Sequence, residues 1–310
     1  MNAVARIATH ADPAVGLRQP GRSSLDRGGF AERAGRLAVR SLYHEAALHP
    51  KPGLVSPVDN GSHADMTMAT FHRSLFALRR YFPAIARAGA ADPELATLQA
   101  LGRDAEREML RATHGVNTHR GAIFHLGLLC AAAGLRAQSG HAPSAAALCA
   151  TVAGRWGEAV RRGASVAQRD PRQRSHGLQV MRRYAAGGAR TEAAAGYPSV
   201  IGASLPAYRA ALRASGDERR AGVQALFVLI ARTDDSNLLW RGGAAGARLA
   251  RRCATHFLRN GGVLADDWLQ QAASIHRRFV ARNLSPGGCA DLLAVTLFLH
   301  SCDTGLHGAP

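Results

Sequence analysis

Apolar residues recur along this chain at the three- and four-residue intervals of amphipathic helices, and alternating apolar and polar runs are nearly absent. Pro50 closes the first such segment, and Pro83 is expected to bend or end the second. The pattern predicts helices over residues 30–49, 68–83, 95–113, 123–136, 143–168, 172–186, 205–215, 217–232, 238–259, 265–282 and 287–302. The chain is therefore predicted to be all-α, with about ten helices in a single globular domain over 31–303. Residues 1–30 are expected to be a disordered basic tail, and residues 304–310 a mobile C-terminus.

Four loop-to-helix junctions are far richer in polar and glycine residues than a plain helix connection needs. In the first, Pro50 and Pro52 hold the backbone around Lys51 extended, which would present a fixed ammonium group to a phosphate. Asn60, His63 and Asp65 follow in the same loop. The alternative interpretation is a helix cap, because Ser62 and Asp65 have the spacing of a capping box.

The second junction, Gly115 to Gly121, leads into a strongly apolar helix. Asn117, Thr118, His119 and Arg120 would lie at the positive end of that helix, where backbone N–H groups favour an anion. The alternative is that Thr118 is an N-cap and Arg120 a solvated residue of the first turn.

The third junction contains adjacent carboxylates, Asp234 and Asp235, followed by Asn237. Carboxylate and amide oxygens are the ligands of magnesium in proteins. Arg241 lies on the same helical face as Asn237, where it could bind a phosphate beside the metal. The alternative is a helix cap with a surface acid.

The fourth junction combines Asn283 and Ser285 with a glycine pair, Gly287 and Gly288. Ser285 followed by Pro286 is a typical start of a helix. Asp291 lies within an apolar run that is expected to be buried, so its carboxylate needs a partner or an ion.

Composition limits the possible functions. The chain has 39 Lys and Arg against 22 Asp and Glu, a formal charge of +17, which raises the hypothesis of a basic nucleic-acid-binding protein. The basic residues are spread over the whole chain, aromatic residues make up only 5%, and no nucleic-acid-binding motif is present. Lys51 is the only lysine, and without a Gly-Lys-Ser/Thr sequence there is no Walker A loop. Five cysteines without a CxxC pair fit a cytoplasmic protein, and no apolar run predicts a membrane segment.

Taken together and in order, the junctions resemble the triphosphoribosyl-dephospho-CoA synthase family. The resemblance covers residues 36 to 303. Between the main blocks, residues 190 to 198 look like a diverged copy of another family stretch, with Thr191 in place of glycine and Tyr197 in place of phenylalanine. The main blocks are PKPGLV (50–55), NGSHADM (60–66), GVNTHRGAIF (115–124), DSNLLWRGG (235–243) and RNLSPGGCADLLAVTLFL (282–299).

The resemblance implies a transferase that moves the 5-triphosphoribosyl group of ATP to the 2′-hydroxyl of 3′-dephospho-CoA and releases adenine. The product would pass to a phosphoribosyl-dephospho-CoA transferase and an acyl carrier protein. The residues of the GVNTHRGAIF block resemble the malonate decarboxylase branch of the family more than the citrate lyase branch. A metal-dependent N-glycosidic nucleotide hydrolase is the main alternative.

The implied reaction gives each group of candidate residues an expected task. Lys51, Arg120 and Arg241 would hold the triphosphate, with Mg²⁺ on Asp65, Asp234 or Asp235. Asp291 or Glu45 would accept the proton of the attacking hydroxyl, Asp65 is a further catalytic candidate, and His63 or His119 would assist the departure of adenine. The remaining expected substrate-binding residues are Asn60, Asn117, Thr118, Arg190, Glu192, Asn237, Asn283, Ser285, Gly287 and Gly288.

Overall fold

The computed structural model describes residues 27–141, 143–169, 176–184 and 187–305. The longest loop of the described residues covers 48–67, and the chain also forms a π-helical turn at Val200–Ser204 and a 3₁₀ turn at Gly262–Leu264. In chain order the helices are α1 (Arg27–Ala47), α2 (Met68–Leu78), α3 (Tyr81–Gly89), α4 (Leu95–Ala112), α5 (Arg120–Gln138), α6 (Ala145–Arg169), α7 (His176–Tyr184), α8 (Gly188–Ala194), α9 (Leu205–Ser215), α10 (Glu218–Arg232), α11 (Ser236–Arg259), α12 (Trp268–Val280) and α13 (Gly287–Gly305). Over these described residues there is no β-strand, and the predicted all-α class is confirmed.

The centre of the fold is formed by α5, α10 and α13, which are apolar on nearly every side. A helix that is apolar all round must be enclosed by neighbours to keep its side chains from water. Helix α1 packs against α5 and α13, α3 packs against α1 and α5, and α10 packs against α13 and α11. Nearly all buried apolar side chains belong to one continuous core.

Two predicted helix boundaries are wrong. The expected helix over 68–83 is two helices, because α2 ends at Leu78 and Pro83 falls in the first turn of α3, where its missing N–H costs nothing. Helix α5 begins at Arg120, three residues before the predicted start. Helix α8 was not predicted at all.

Parts of the prediction lie outside the described residues. They are most of the tail (1–26), the end of the C-terminus (306–310), and residues 172–175 and 185–186 of the helix predicted over 172–186. Helix α1 already begins at Arg27, inside the range predicted as tail.

Helix α5 is the one helix of the described residues with the length and apolar composition of a membrane span. Two thirds of that stretch, 67%, is buried inside the molecule. Its contacts with α1, α3, α4, α6 and α13 are those of a core helix.

Candidate active site

The loop between α1 and α2 is fastened to the segment that precedes α13. Ser62 Oγ donates to the carbonyl oxygen of Leu284 at 2.7 Å, and His63 Nε2 lies 2.8 Å from Ser285 Oγ. Gly53 has φ +69°, and a Cβ atom there would lie 2.0 Å from the carbonyl oxygen of Leu284. Only glycine therefore allows the first and fourth junctions to meet.

Arg241 of α11 joins the same pair of segments. Its Nη1 donates to Ser62 O and to Asn283 Oδ1, both at 2.7 Å. Its Nη2 lies 3.1 Å from His63 Nδ1, and since a guanidinium can only donate, that ring nitrogen accepts. The proton of His63 is then on Nε2, which donates to Ser285.

Burial, together with the charge of Arg241, lowers the pKa of His63 below its ordinary value. At neutral pH His63 is therefore an uncharged ring with both nitrogens engaged. This arrangement suits a residue that positions the loop.

Asp235 connects the third junction to the fourth. It is the N-cap of α11, and its Oδ1 accepts the N–H groups of Asn237 at 2.8 Å and Leu238 at 3.0 Å. Its Oδ2 accepts the N–H group of Cys289, in the first turn of α13, at 2.7 Å. One buried carboxylate thus serves the N-termini of two helices, which stabilise its negative charge.

Two capping interpretations from the sequence are wrong. Ser62 does not cap α2, because the N-cap is Thr67 and the hydroxyl of Ser62 is bonded to Leu284. Ser285 does not cap α13 either, since its hydroxyl lies against His63.

Asp291 brings the N-terminus of α5 into the same cluster. A Cβ atom at Gly121 would lie 1.9 Å from Asp291 Oδ2, so the carboxyl group packs directly on the first turn of α5. Burial raises the pKa of Asp291 well above its usual value, and the nearby carboxylates of Glu45 and Asp235 raise it further. Asp291 is therefore a carboxyl group that favours its protonated form.

Glu45 and Lys51 form a buried ion pair beside this carboxyl group. Lys51 Nζ donates to Glu45 Oε1 at 2.8 Å and to the Glu45 carbonyl at 2.7 Å, and both side chains are about 95% or more buried. The ammonium of Lys51 is buried in this structure, so it can act on a ligand only through its electrostatic field.

His119 and Thr118 place unsatisfied polar atoms at the start of α5. His119 Nδ1 lies 2.6 Å from Ser74 Oγ, whereas its buried Nε2 and the buried Oγ1 of Thr118 have no hydrogen-bond partner. Burial, followed by the charge of Lys51, lowers the pKa of His119 to about 3, so the ring is neutral. Thr118 is not the cap of α5, because Asn117 Oδ1 accepts the N–H group of Arg120 at 3.2 Å. Buried polar atoms without partners are uncommon, and these two are ready to bond a ligand.

Three helix N-termini therefore meet at one place: those of α5, α11 and α13. Each contributes roughly half a positive charge and Arg241 adds a full one, against the carboxylate of Asp235 at the N-termini of α11 and α13. Gly287 lies against the amide of Asn237, and Gly288 against Asp235. The cluster combines a field suited to phosphates with enclosed carboxyl groups suited to proton transfer.

Several predicted residues lie at the margin of this cluster or apart from it. Asn60 and Asp65 are exposed on the loop, with Asp65 Oδ1 3.6 Å from His63 Nδ1. Arg120 is half-exposed and pairs with Glu106, and Asp234 is exposed and pairs with Arg251 at 2.7 Å.

The predicted pair on α8 is not joined to the cluster by any hydrogen bond or ion pair of the described residues. Glu192 accepts from the hydroxyl of Ser199 at 2.5 Å and from its N–H group at 3.3 Å, which fixes the turn before the π-helical segment. Arg190 is half-buried, and burial lowers the pKa of its guanidinium.

The predicted magnesium ligands have different surroundings. In the part of the chain that the structure describes, no group of three or more His, Cys, Asp or Glu side chains is arranged to hold a metal ion. Both oxygens of Asp235 already accept N–H groups, whereas Asp65 remains open to solvent. Of the predicted ligands, Asp65 is thus the one that could share a magnesium ion whose other ligands come from a bound nucleotide and water.

Sequence reasoning missed His276 of α12. Its Nδ1 lies 3.1 Å from the Lys51 carbonyl oxygen, and its Nε2 lies 3.2 Å from Asp59 Oδ2. It therefore braces both ends of the loop that contains Lys51. His276 lies outside the five motif blocks, and nothing in its local sequence marks it.

Comparisons with known proteins indicate one family. Residues 31–308 match the CitG family model, described as ATP:dephospho-CoA triphosphoribosyl transferase. A protein of Acinetobacter calcoaceticus named probable 2-(5′′-triphosphoribosyl)-3′-dephosphocoenzyme-A synthase is 38% identical over 89% of this chain and 92% of its own length. A protein of the same name from Citrobacter koseri is 42% identical over 85% of this chain and 88% of its own length. No solved structure matches the chain. The chain belongs to the ATP:dephospho-CoA triphosphoribosyl transferase family.

Proposed function

We propose that this transferase moves the 5-triphosphoribosyl group of ATP to the 2′-hydroxyl of 3′-dephospho-CoA, releasing adenine. Family membership and the names of its relatives support this reaction. The observation that carries the proposal is the meeting of three helix N-termini beside the carboxyl groups of Asp291 and Glu45, with Arg241 on the adjoining junction segments. The same site must bind a polyanion and manage a proton, and these groups suit both tasks.

The triphosphate would bind against the N-termini of α11 and α13, next to Arg241. In the free protein the Nη atoms of Arg241 hold the loop, yet a guanidinium has five donors, and some remain for a phosphate. Among the hydrogen bonds of the described residues, Asp235 accepts from Cys289, and no side chain accepts from the N–H groups of Gly287 or Gly288. Backbone donors and an arginine at a helix end are a common way to bind phosphate.

Asp291 would handle both protons of the reaction. It begins protonated, so it can give its proton to adenine as the C1′–N9 bond breaks. The resulting carboxylate then accepts the proton of the 2′-hydroxyl as the new C1′–O bond forms. One proton moves from the hydroxyl to adenine, the enzyme returns to its starting state, and the buried Lys51–Glu45 pair lies beside the changing charge. His119, with a pKa of about 3, would act as a neutral hydrogen-bonding group.

Magnesium would enter with ATP, and Asp65 is the accessible carboxylate that could share it with the phosphates. The ion would neutralise phosphate charge. We therefore expect Asp65→Asn to raise the magnesium concentration needed for half-maximal activity. The exposed Asp104→Asn, on the outer face of α4, is the matched control. An unchanged magnesium requirement in Asp65→Asn would remove this residue from the metal site.

We further propose that the product serves a malonate decarboxylase acyl carrier protein, with a phosphoribosyl-dephospho-CoA transferase as the next enzyme. The residue sequence of the block over 115–124 supports this branch. Incubating the purified product and the next enzyme with the acyl carrier subunits of both systems tests it. Modification of the citrate lyase subunit alone would reassign the branch.

The decisive experiment is mass detection of the triphosphoribosylated dephospho-CoA, with adenine measured in parallel. We expect adenine release only when ATP, magnesium and dephospho-CoA are all present. Adenine released without the acceptor would instead make the protein an N-glycosidic hydrolase. Steeply salt-dependent binding to unrelated duplexes without adenine release would favour nucleic-acid binding.

A further inference from the structure

An open cavity of about 810 Å³ lies between α1 and α2, bounded by Pro83 of α3. We call it the α1–α2 groove. Its apolar lining includes Leu37 and Leu75, with Tyr43 and Phe76 at the solvent side. The volume lies within the range of small-molecule sites, which combine apolar walls with a few polar groups.

The groove is strongly positive. Four arginines line it: Arg33, Arg36, Arg40 and Arg79. The lining includes a single carboxylate, Glu32, and its charge is already paired with Arg87 at 2.6 Å. A ligand for this groove must therefore bring negative charge.

Two further observations indicate that the groove is built for a ligand. The buried Nε atom of Arg33 has no hydrogen-bond partner. Phe76 is 66% exposed and carries the guanidinium of Arg79 stacked on its ring, 3.6 Å from the centroid. An aromatic ring this exposed, in a groove lined by arginines, suits a ligand with both apolar and anionic parts.

The groove shares two helices with the junction cluster. On α1, Tyr43 lines the exposed groove, and the cluster residue Glu45, two residues on, lies on the opposite, buried face of the helix. On α2, His72 lines the groove and stacks on Tyr43, while the preceding residue, Phe71, packs edge-on against His119. The groove and the cluster therefore lie on different faces of α1 and α2, and a long substrate that reacts at the cluster would pass around the helix ends that contain Tyr43 and His72.

We propose that the α1–α2 groove binds the pantetheine arm and the diphosphate of dephospho-CoA, an assignment that rests on the proposed function. The arginines match the diphosphate, and the apolar walls match the dimethyl group and methylene chain of the arm. ATP has no such arm, so the groove would distinguish the acceptor from the donor. The triphosphate of ATP remains at the three helix N-termini.

Steady-state kinetics with each substrate varied in turn tests this assignment. Arg36→Ala and Phe76→Ala change exposed groove residues, so both variants should fold. We expect each to raise the KM for dephospho-CoA, about tenfold for Arg36→Ala, because one charged hydrogen bond is worth about that factor. The KM for ATP should not change. Arg162→Ala, which removes an exposed arginine of α6, is the control and should leave both KM values unchanged.

A second probe isolates the arm itself. 4′-Phosphopantetheine should inhibit the wild-type protein competitively with dephospho-CoA, and both groove variants should be less sensitive. Unchanged KM values, or equal changes for both substrates, would overturn the assignment. If the wild type releases no adenine, the proposed function fails separately. Calorimetric binding of dephospho-CoA to wild type and Arg36→Ala then decides the groove: weaker binding to the variant supports it, and equal binding overturns it.

Discussion

Replacing Gly53 by alanine should separate the first and fourth junctions. The residue has φ +69°, and an added Cβ would lie 2.0 Å from the Leu284 carbonyl oxygen and 3.2 Å from the Cβ of Phe279. Because the nearest atom belongs to the backbone, no side-chain rotation relieves the overlap. The loop and the segment before α13 must move apart.

The cost follows from the contacts at this point. A left-handed conformation costs a residue with a Cβ atom about 1–2 kcal/mol. Separation also weakens the hydrogen bonds Ser62–Leu284 and His63–Ser285, each worth about 1 kcal/mol. Gly53→Ala should therefore lower the free energy of unfolding by about 3–4 kcal/mol. A displacement of about 1 Å at the start of α13 should also reduce turnover by about 10²-fold.

Urea unfolding and adenine release measure the two effects. Gly154→Ala is the matched control, since Gly154 lies within α6 with open space around the added Cβ. Alanine there should raise the free energy of unfolding by about 0.5–1 kcal/mol and leave turnover unchanged. If Gly53→Ala unfolds and reacts like the wild type, the close approach of the two junctions is wrong.

Three other substitutions or conditions test the electrostatics of the site. Because the folded state holds Asp291 protonated, the wild type loses stability as pH rises above about 4, the ordinary carboxyl value. Asp291→Asn should therefore be more stable than the wild type to urea at pH 7, with the difference vanishing near pH 3, while turnover falls by about 10²–10⁴-fold. His119 and His125, both with pKa lowered to about 3 by burial, stay neutral when folded, so stability should fall as pH drops from 6.5 towards 4, by about 1.4 kcal/mol per pH unit for each. Arg241→Lys keeps the charge but loses the fork that binds Ser62 and Asn283, and should raise the KM for ATP about tenfold.

For each of these predictions, a specific result would contradict it. A wild-type and Asp291→Asn pair with identical urea midpoints at pH 7 would mean that the carboxyl group is ionised in the folded protein. A flat stability profile between pH 6.5 and 4 would contradict the burial of the two imidazoles. An unchanged KM for ATP in Arg241→Lys would place the triphosphate elsewhere.

The helical periodicity was sufficient to predict the fold class and most helices, because the positions of apolar residues along a helix show which of its faces are buried. The density of glycine and polar residues likewise marked the four junctions, and the five motif blocks indicated the family. Local boundaries were less predictable. Pro83 looked like the end of a helix, yet it lies in the first turn of α3, a difference that depends on where the chain turns.

The role of each junction residue depended on partners far away in the chain. The fold encloses Lys51 with Glu45, and the oxygens of Asp235 accept N–H groups in the first turns of two helices. His276 could not be singled out, since its contacts with Lys51 and Asp59 cross more than 200 residues.

The sequence by itself determined which residues gather at helix ends, since propensity and periodicity are local properties. Only the tertiary structure decided their charge states and partners. Asp291 holds its proton because packing removes water and brings Glu45 and Asp235 near it, and His63 stays neutral because burial removes water from its ring and Arg241 lies beside it. Desolvation and the fields of neighbouring charges arise only when distant segments pack together, so no local pattern can encode them.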